Sequence, residues 1–222
     1  NQEISVVRIS DDGCASSSSE IETISIYALP EDRVVTLTDI DGLICEGSSA
    51  TILVENSQNN VDYILKEGAS VITTVAGAGG DINLNTPLLS TGSYTYTVEA
   101  STQTTPACLK VMESSPGNPY SFTVDVAAAP SNVTFSTLTP EVCVNSQAEL
   151  NVSISGGTAP YTVTYITDLN PTEVIVSSPV ADFDITSAPL TNSSIFEIIS
   201  ITDDAGCDYD VSGIAKTSSN GW

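Results

Sequence analysis

One pattern recurs in the chain at a spacing of about 100 residues, and this repetition constrains the fold more than any other feature. Residues 142–150 (VCVNSQAEL) match residues 44–52 (ICEGSSATI). Residues 191–196 (TNSSIF) likewise match residues 91–96 (TGSYTY). Immunoglobulin-like sandwiches contain about 100 residues, so a repeat of this length suits them. The chain is therefore expected to contain two units of similar structure.

Hydrophobic and polar residues alternate along most of the chain, as they do in half-buried β-strands. Clear examples are residues 51–54 (TILV), 94–98 (YTYTV), 121–126 (SFTVDV) and 161–165 (YTVTY). These runs are rich in Thr, Val, Ile and Tyr, and clusters of Gly, Pro, Asn and Ser separate them. The pattern predicts an all-β fold, arranged as tandem immunoglobulin-like β-sandwich domains.

The prolines that introduce the matching units give the predicted domain boundaries. Pro30 and Pro130 occupy equivalent places. We therefore predict one sandwich at residues 30–129 and a second at residues 130–222. The second range includes the start of the next linker at residues 217–222.

The first 29 residues match the end of a unit rather than its beginning. Residues 10–14 (SDDGC) resemble residues 202–207 (TDDAGC) with one gap. We interpret residues 1–29 as the last two strands of a preceding repeat, which makes the chain a section of a longer tandem array. The alternative is a subunit whose N-terminal strands complete a neighbouring molecule by strand addition.

Composition excludes several classes of function. The 222 residues include 28 acidic residues, 5 basic residues and no histidine, so the formal net charge is −23. This charge repels phosphates and anionic membranes, which disfavours nucleic-acid and membrane partners. Without histidine there is no Ser-His-Asp triad, no Cys-His pair and no histidine metal site. No apolar run reaches the 18–20 residues of a membrane span. We expect a protein that is not an enzyme.

Five cysteines without a CxxC motif indicate disulfides rather than a zinc site, and hence an oxidising, extracellular environment. Cys45 and Cys108 are 63 residues apart, and Cys143 and Cys207 are 64 residues apart. The favoured pairing is Cys45–Cys108 and Cys143–Cys207, because a unit that closes its own bridge can fold independently. Cys14 is then unpaired or intermolecular.

Sandwich geometry raises an objection to that pairing. The first and last turns of a seven-strand sandwich lie at opposite ends, whereas disulfide Cα atoms lie within about 7 Å. A split first strand that carries Cys45 back along the sandwich edge would be needed. A bond between neighbouring domains, Cys45 with Cys207, stays open as the alternative and would join successive domains end to end.

Acidic residues in turns give a weaker hypothesis of calcium binding. Asp39 and Asp41 precede Gly42 as in the opening of a calcium loop, but the third acidic ligand and the distal Glu are missing. Asp203 and Asp204 lie beside a cysteine, where Asp more often caps backbone N–H groups. We therefore expect no cofactor, with Ca²⁺ at these aspartates as the alternative.

Three motifs together resemble a known group of repeats. They are Val/Ile-Cys-x-x-Ser before a strand, residues 156–163 (GGTAPYTV) and residues 201–207 (ITDDAGC). They are similar to the tandem repeats of Bacteroidota surface proteins, in particular the SprB-like gliding-motility adhesins and related PKD or immunoglobulin-like modules exported by the type IX pathway. The resemblance covers most of residues 130–215. It is looser over residues 30–129, where residues 58–63 (QNNVDY) replace GGTAPY.

This resemblance implies an extracellular filament or adhesin stalk that projects from the cell surface and mediates adhesion or gliding. It supplies no catalytic residues. The implied partners are neighbouring repeats or other copies in a filament, with surface polysaccharide as a candidate ligand. Two alternatives stay open: a secreted fibre subunit that polymerises by strand complementation, and accessory or carbohydrate-binding domains of a large secreted enzyme. Aromatic residues make up only 6% of the chain, which disfavours an aromatic sugar-binding platform.

Overall fold

The computed structural model describes residues 2–6, 20–24, 26–39, 41–168 and 172–221. Strand β1 (Gln2–Val6) pairs antiparallel with β2 (Glu20–Ile24). Both strands belong to the segment interpreted as the end of a preceding repeat. That interpretation stays a prediction.

The first sandwich has two sheets with the strand order of an immunoglobulin-like domain. Its strands are β3 (Val35–Leu37), β4 (Leu43–Cys45), β5 (Thr51–Val54), β6 (Val61–Glu67), β7 (Ser70–Ala76), β8 (Ile82–Asn85), β9 (Gly92–Thr102), β10 (Leu109–Val111), β11 (Glu113–Ser115), β12 (Asn118–Pro119) and β13 (Ser121–Ala127). One sheet has the order β3-β5-β8, and the other has the order β4-β13-β9-β6-β7. Strand β10 also pairs with β9, and β11 with β12 forms a short hairpin before β13.

A glycine allows the first strand to cross between the sheets. β3 pairs antiparallel with β5 in one sheet, whereas β4 pairs parallel with β13 in the other. Gly42 lies at the crossing with φ +69°, and its carbonyl accepts a hydrogen bond of 2.7 Å from Asp125 N. A Cβ at Gly42 would lie 2.7 Å from Thr123 O, so a larger residue would push β4 away from β13.

The core of the first sandwich follows the alternation in the sequence. Alternate side chains of the central strands point between the sheets and are almost completely buried: Ile52, Val54, Tyr63, Leu65, Leu84, Tyr96, Val98 and Val124. Each of these Val, Leu and Ile side chains contributes about 1.5–3 kcal/mol on burial. The opposite faces of the same strands carry the polar residues.

The second sandwich repeats this architecture. Its elements are β14 (Pro130–Thr137), β15 (Glu141–Val142), β16 (Glu149–Gly156), β17 (Tyr161–Thr167), β18 (Val174–Ser178), β19 (Asp182–Thr186), β20 (Ser194–Thr202), a 3₁₀ helix (Val211–Gly213) and β21 (Thr217–Gly221). The sheets have the orders β14-β16-β19 and β15-β21-β20-β17-β18. Its core includes Leu150, Val152, Val163, Phe196 and Ile201. No helix in the described residues is long and apolar enough to cross a membrane.

The C-terminal segment corrects one expectation. The repeat pattern predicts the start of a linker at residues 217–222, but Thr217–Gly221 forms β21, the last strand of the second sandwich. β21 pairs antiparallel with β20 and parallel with β15. Ser219 is completely buried, and its hydroxyl donates to Thr139 O at 2.8 Å. The strand lacks hydrophobic residues, so the alternation that marks the other strands is absent from it.

Candidate functional site

The junction between the two sandwiches is the part of the molecule with the most distinctive chemistry. Only two residues separate β13, which ends at Ala127, from β14, which starts at Pro130. A disulfide between Cys45 and Cys207 spans this junction, with an S–S distance of 2.08 Å and a Cα–Cα distance of 5.6 Å. The lower end of each sandwich is defined here as the end at which its last strand stops, and the upper end is the opposite one.

Cys45 is held at the lower end of the first sandwich by backbone hydrogen bonds. It ends β4 beside the end of β13, where Glu46 N donates to Ala127 O at 2.8 Å. Gly47 N donates to Leu89 O at 2.8 Å, and Gly47 adopts a left-handed backbone with φ +81°. Cys45 therefore lies next to the point at which the chain leaves this sandwich.

Cys207 is held at the upper end of the second sandwich by a buried carboxylate. Asp203 is 6% exposed; its Oδ1 accepts from Cys207 N and its Oδ2 accepts from Thr158 N, both at 2.8 Å. Gly206 N closes the turn by donating to Asp203 O at 3.0 Å. Because a buried carboxylate is stable only with charge-assisted hydrogen bonds, these donors fix the side chain and the turn together.

The GGTAPY motif brings the same end of the second sandwich close to the linker. Gly156 and Gly157 have φ values of +72° and +71°. A Cβ at Gly156 would lie 2.9 Å from Ala129 O, and a Cβ at Gly157 would lie 3.0 Å from Pro130 Cγ. The Tyr161 hydroxyl donates to Gly156 O at 2.8 Å. The two glycines of the motif therefore allow this end of the second sandwich to pack closely against the linker.

The structure contradicts the favoured cysteine pairing. Cys45 bonds to Cys207, which is the interdomain alternative, and the intradomain pairs Cys45–Cys108 and Cys143–Cys207 are wrong. Cys108 is half-buried and Cys143 is exposed, and both are unbonded. Cys14 lies outside the described residues.

Strand direction explains this correction. Cys45 lies beside the start of β9, because Ala127 and Val126 of β13 meet β4 and Gly92 there. Cys108 lies beside the end of β9, where Thr102 N donates to Cys108 O at 3.0 Å. Eleven residues of β9 separate the two ends by roughly 33 Å. The first strand is split, but β4 continues in the direction of β3 and does not carry Cys45 back.

The aspartates considered for calcium serve as turn residues. Asp41 Oδ1 accepts from Leu43 N at 3.3 Å, and the carbonyl of Asp39 accepts from a backbone N–H in the same turn. The Asp203 carboxylate is occupied by backbone donors, and Asp204 is exposed. No group of three or more His, Cys, Asp or Glu side chains that could hold a metal ion occurs in the described part of the chain.

An ion pair lies on the first sandwich close to its free cysteine. Lys110 Nζ donates to Asp32 Oδ2 at 2.6 Å, and Glu113 N donates to Asp32 Oδ1 at 3.0 Å. The hydrogen bond from Lys110 is the main reason why the pKa of Asp32 lies below its ordinary value. The pair ties residue 32, which follows Pro30, to the strand that follows Cys108.

The fold defines the class of the protein: an all-β chain of immunoglobulin-like sandwiches. No protein-family model matches the sequence, and no curated protein matches it significantly. The chain is similar in structure to the fibronectin(III)-like modules of Clostridium thermocellum CbhA, with 12% identity, coverage of 85% of this chain and 95% of that chain, and a TM-score of 0.44. Murine CEACAM1b is 12% identical, with coverage of 84% of this chain and 96% of that chain and a TM-score of 0.35. The Yersinia pseudotuberculosis adhesin InvE is 12% identical, with coverage of 84% of this chain and 58% of that chain and a TM-score of 0.31. We draw no functional conclusion from similarities at this level.

Proposed function

We propose that the chain is a non-catalytic segment of an extracellular stalk or filament, in which stacked sandwiches transmit force. The disulfide across the domain junction is the observation that carries this proposal. It joins the lower end of one sandwich to the upper end of the next, beside a two-residue linker. Two covalent connections at one junction oppose bending and twisting that a single peptide linker would allow.

The energetic effect of this bond is large for domains of this size. Cys45 and Cys207 are 162 residues apart, and in the chain-entropy model a loop of that length gives about 5 kcal/mol. Typical domains are stable by about 5–15 kcal/mol. The bond therefore stabilises both sandwiches, because each unfolds into a chain that is still tied to the other.

The cellular setting is part of the same proposal. A structural disulfide persists in oxidising environments, which supports an extracellular location. The net charge of −23 keeps a long array soluble and opposes pairing between sheet edges. The resemblance of residues 130–215 to gliding-motility adhesins supports adhesion or gliding at the cell surface, with type IX export and surface polysaccharide as a ligand.

Small-angle X-ray scattering of the oxidised chain and of a Cys45→Ser variant tests the stalk. The oxidised chain should fit a single rigid arrangement of two sandwiches, whereas Cys45→Ser should need a broad set of interdomain orientations. Cys143→Ser is the matched control, because Cys143 occupies a similar turn without a bond. Equal interdomain flexibility in the oxidised chain and in Cys45→Ser would contradict the proposal.

A further inference from the structure

The two unbonded cysteines occupy the same positions in their sandwiches as the two bonded cysteines. At the upper ends, Cys207 N donates to Asp203 Oδ1 and Cys108 N donates to Thr102 Oγ1, both at 2.8 Å. The hydrogen bonds to the two cysteine carbonyls also correspond. Asp203 N donates to Cys207 O at 3.1 Å, and Thr102 N donates to Cys108 O at 3.0 Å. Cys108 is therefore the counterpart of Cys207.

At the lower ends, Cys143 is the counterpart of Cys45. Ser146 N donates to Cys143 O at 2.9 Å, and Ser48 N donates to Cys45 O at 3.0 Å. The residue before each serine has a left-handed backbone, with φ values of +65° and +81°. Cys45 ends a short strand, and Cys143 directly follows one, and each of these strands pairs parallel with the last strand of its sandwich.

An exposed apolar side chain follows each unbonded cysteine in the sequence. Val144, next to Cys143, is 49% exposed. Leu109, next to Cys108, is 61% exposed, and Leu29, in the position that Ala129 holds at the existing junction, is 59% exposed. Exposed apolar side chains beside both cysteines are compatible with a contact to a further sandwich at these ends.

We propose that Cys143 of one copy of this chain forms a disulfide with Cys108 of a second copy, at a junction equivalent to the one that Cys45–Cys207 closes. The partner is thus another sandwich of this repeat type. The contact joins a lower end to an upper end, so it is head-to-tail. Repeated head-to-tail contacts build an open filament when their rotation does not close a ring. The inference rests on the proposed stalk function, in that it assumes sandwiches that stack end to end.

The bond forms by two thiol–disulfide exchanges with a small disulfide such as oxidised glutathione. The Cys143 thiolate attacks one glutathione sulfur, which gives a mixed disulfide and releases one glutathione thiolate. The Cys108 thiolate of the second copy then attacks the Cys143 sulfur and releases the second glutathione thiolate. The two cysteines lose two electrons, and oxidised glutathione gains them.

Peptide mapping of a Cys14→Ser variant after incubation with oxidised glutathione tests this proposal. The substitution removes Cys14, whose sequence context matches that of Cys207. The Cys45–Cys207 bond then leaves Cys108 and Cys143 as the reacting thiols. Random pairing would make half of the intermolecular bonds Cys108–Cys143. We expect that species to dominate, in a ladder of dimers and larger oligomers under non-reducing conditions.

A double variant provides the matched control. Cys143→Ser with Ser177→Cys moves the exposed thiol to the side of the second sandwich, on strand β18. Bonds between residue 177 and Cys108 should then form at the random frequency or below it. The proposal is overturned if the Cys14→Ser protein stays monomeric, or if its three possible intermolecular pairs form at random frequencies. A rigid oxidised monomer in scattering would then show that the stalk proposal survives while the intermolecular bond does not.

Discussion

Reduction of the interdomain disulfide should change how far the chain extends under tension. With the bond intact, force applied at the two ends passes from Pro30 along the chain to Cys45, through the sulfur atoms to Cys207, and on to Gly221. The 161 residues between the two cysteines lie inside a covalent loop. They can lose their structure, but they cannot lengthen the chain.

The sequence positions give the size of this effect. An extended chain spans at most about 3.6 Å per residue, so the 29 residue steps outside the loop extend to about 110 Å, including the bond itself. The 191 steps from Pro30 to Gly221 extend to about 690 Å after reduction. The difference of about 580 Å is independent of the first 29 residues, because these extend equally in both states.

Single-molecule force spectroscopy measures this length directly, with handles at the two chain ends. We expect the oxidised chain to break its tether without releasing the loop, and the chain in reductant, or with Cys45→Ser, to release about 580 Å more. Cys143→Ser should behave like the oxidised chain. If the oxidised chain releases the full length at forces that do not break covalent bonds, the disulfide does not carry the force.

Three further predictions concern stability, and each is measured by equilibrium unfolding. Asp203→Ala leaves two backbone N–H groups without acceptors and should lower the free energy of unfolding by about 2–4 kcal/mol. Thr102→Ala removes one acceptor at the equivalent site and should lower it by about half as much. Equal losses in the two variants would contradict this reasoning. Gly157→Ala should cost more than about 2 kcal/mol, because it adds close contacts to the cost of a left-handed backbone. Gly47→Ala, with nothing within 4 Å of its Cβ, should cost about 1 kcal/mol, and an indistinguishable effect of the two substitutions would refute the close contacts. Burial raises the pKa of Tyr96 to about 12, with smaller contributions from Glu67 and Tyr94. The stability that neutral Tyr96 contributes is full below pH 10 and should fall by about 2–3 kcal/mol as the pH rises to 12, a loss that Tyr96→Phe should remove.

Much of the fold could be predicted from the sequence, because burial imposes the period of two that the sequence shows. The alternating runs at residues 94–98 and 161–165 lie in β9 and β17, and their apolar members are core residues except Tyr94, which is half-buried against the core. β21 could not be found in this way. Its residues are Thr, Ser, Asn and Gly, and it is held by its pairing with β20 and β15 rather than by apolar burial.

The cysteine pairing could be narrowed but not decided from the sequence. Equal spacings of 63 and 64 residues are compatible with a bond inside each unit and with a bond between units. Only the direction of β4 relative to β9 distinguishes them, and that depends on which sheet the split first strand joins. The sequence leaves the role of Asp203 undecided for a similar reason. A carboxylate in a turn can bind a cation or backbone N–H groups, and the hydrogen bond from Thr158 N decides for the backbone.

Non-reducing peptide mapping of the purified chain tests the central claim most directly. The chain is digested after its free thiols have been blocked, and the disulfide-linked peptides are identified by mass. We predict a peptide pair that contains Cys45 and Cys207, with Cys108 and Cys143 either blocked or joined to each other between copies. Peptides that link Cys45 to Cys108, or Cys143 to Cys207, would show that each sandwich closes its own disulfide. This result would contradict a stalk in which a disulfide joins neighbouring sandwiches.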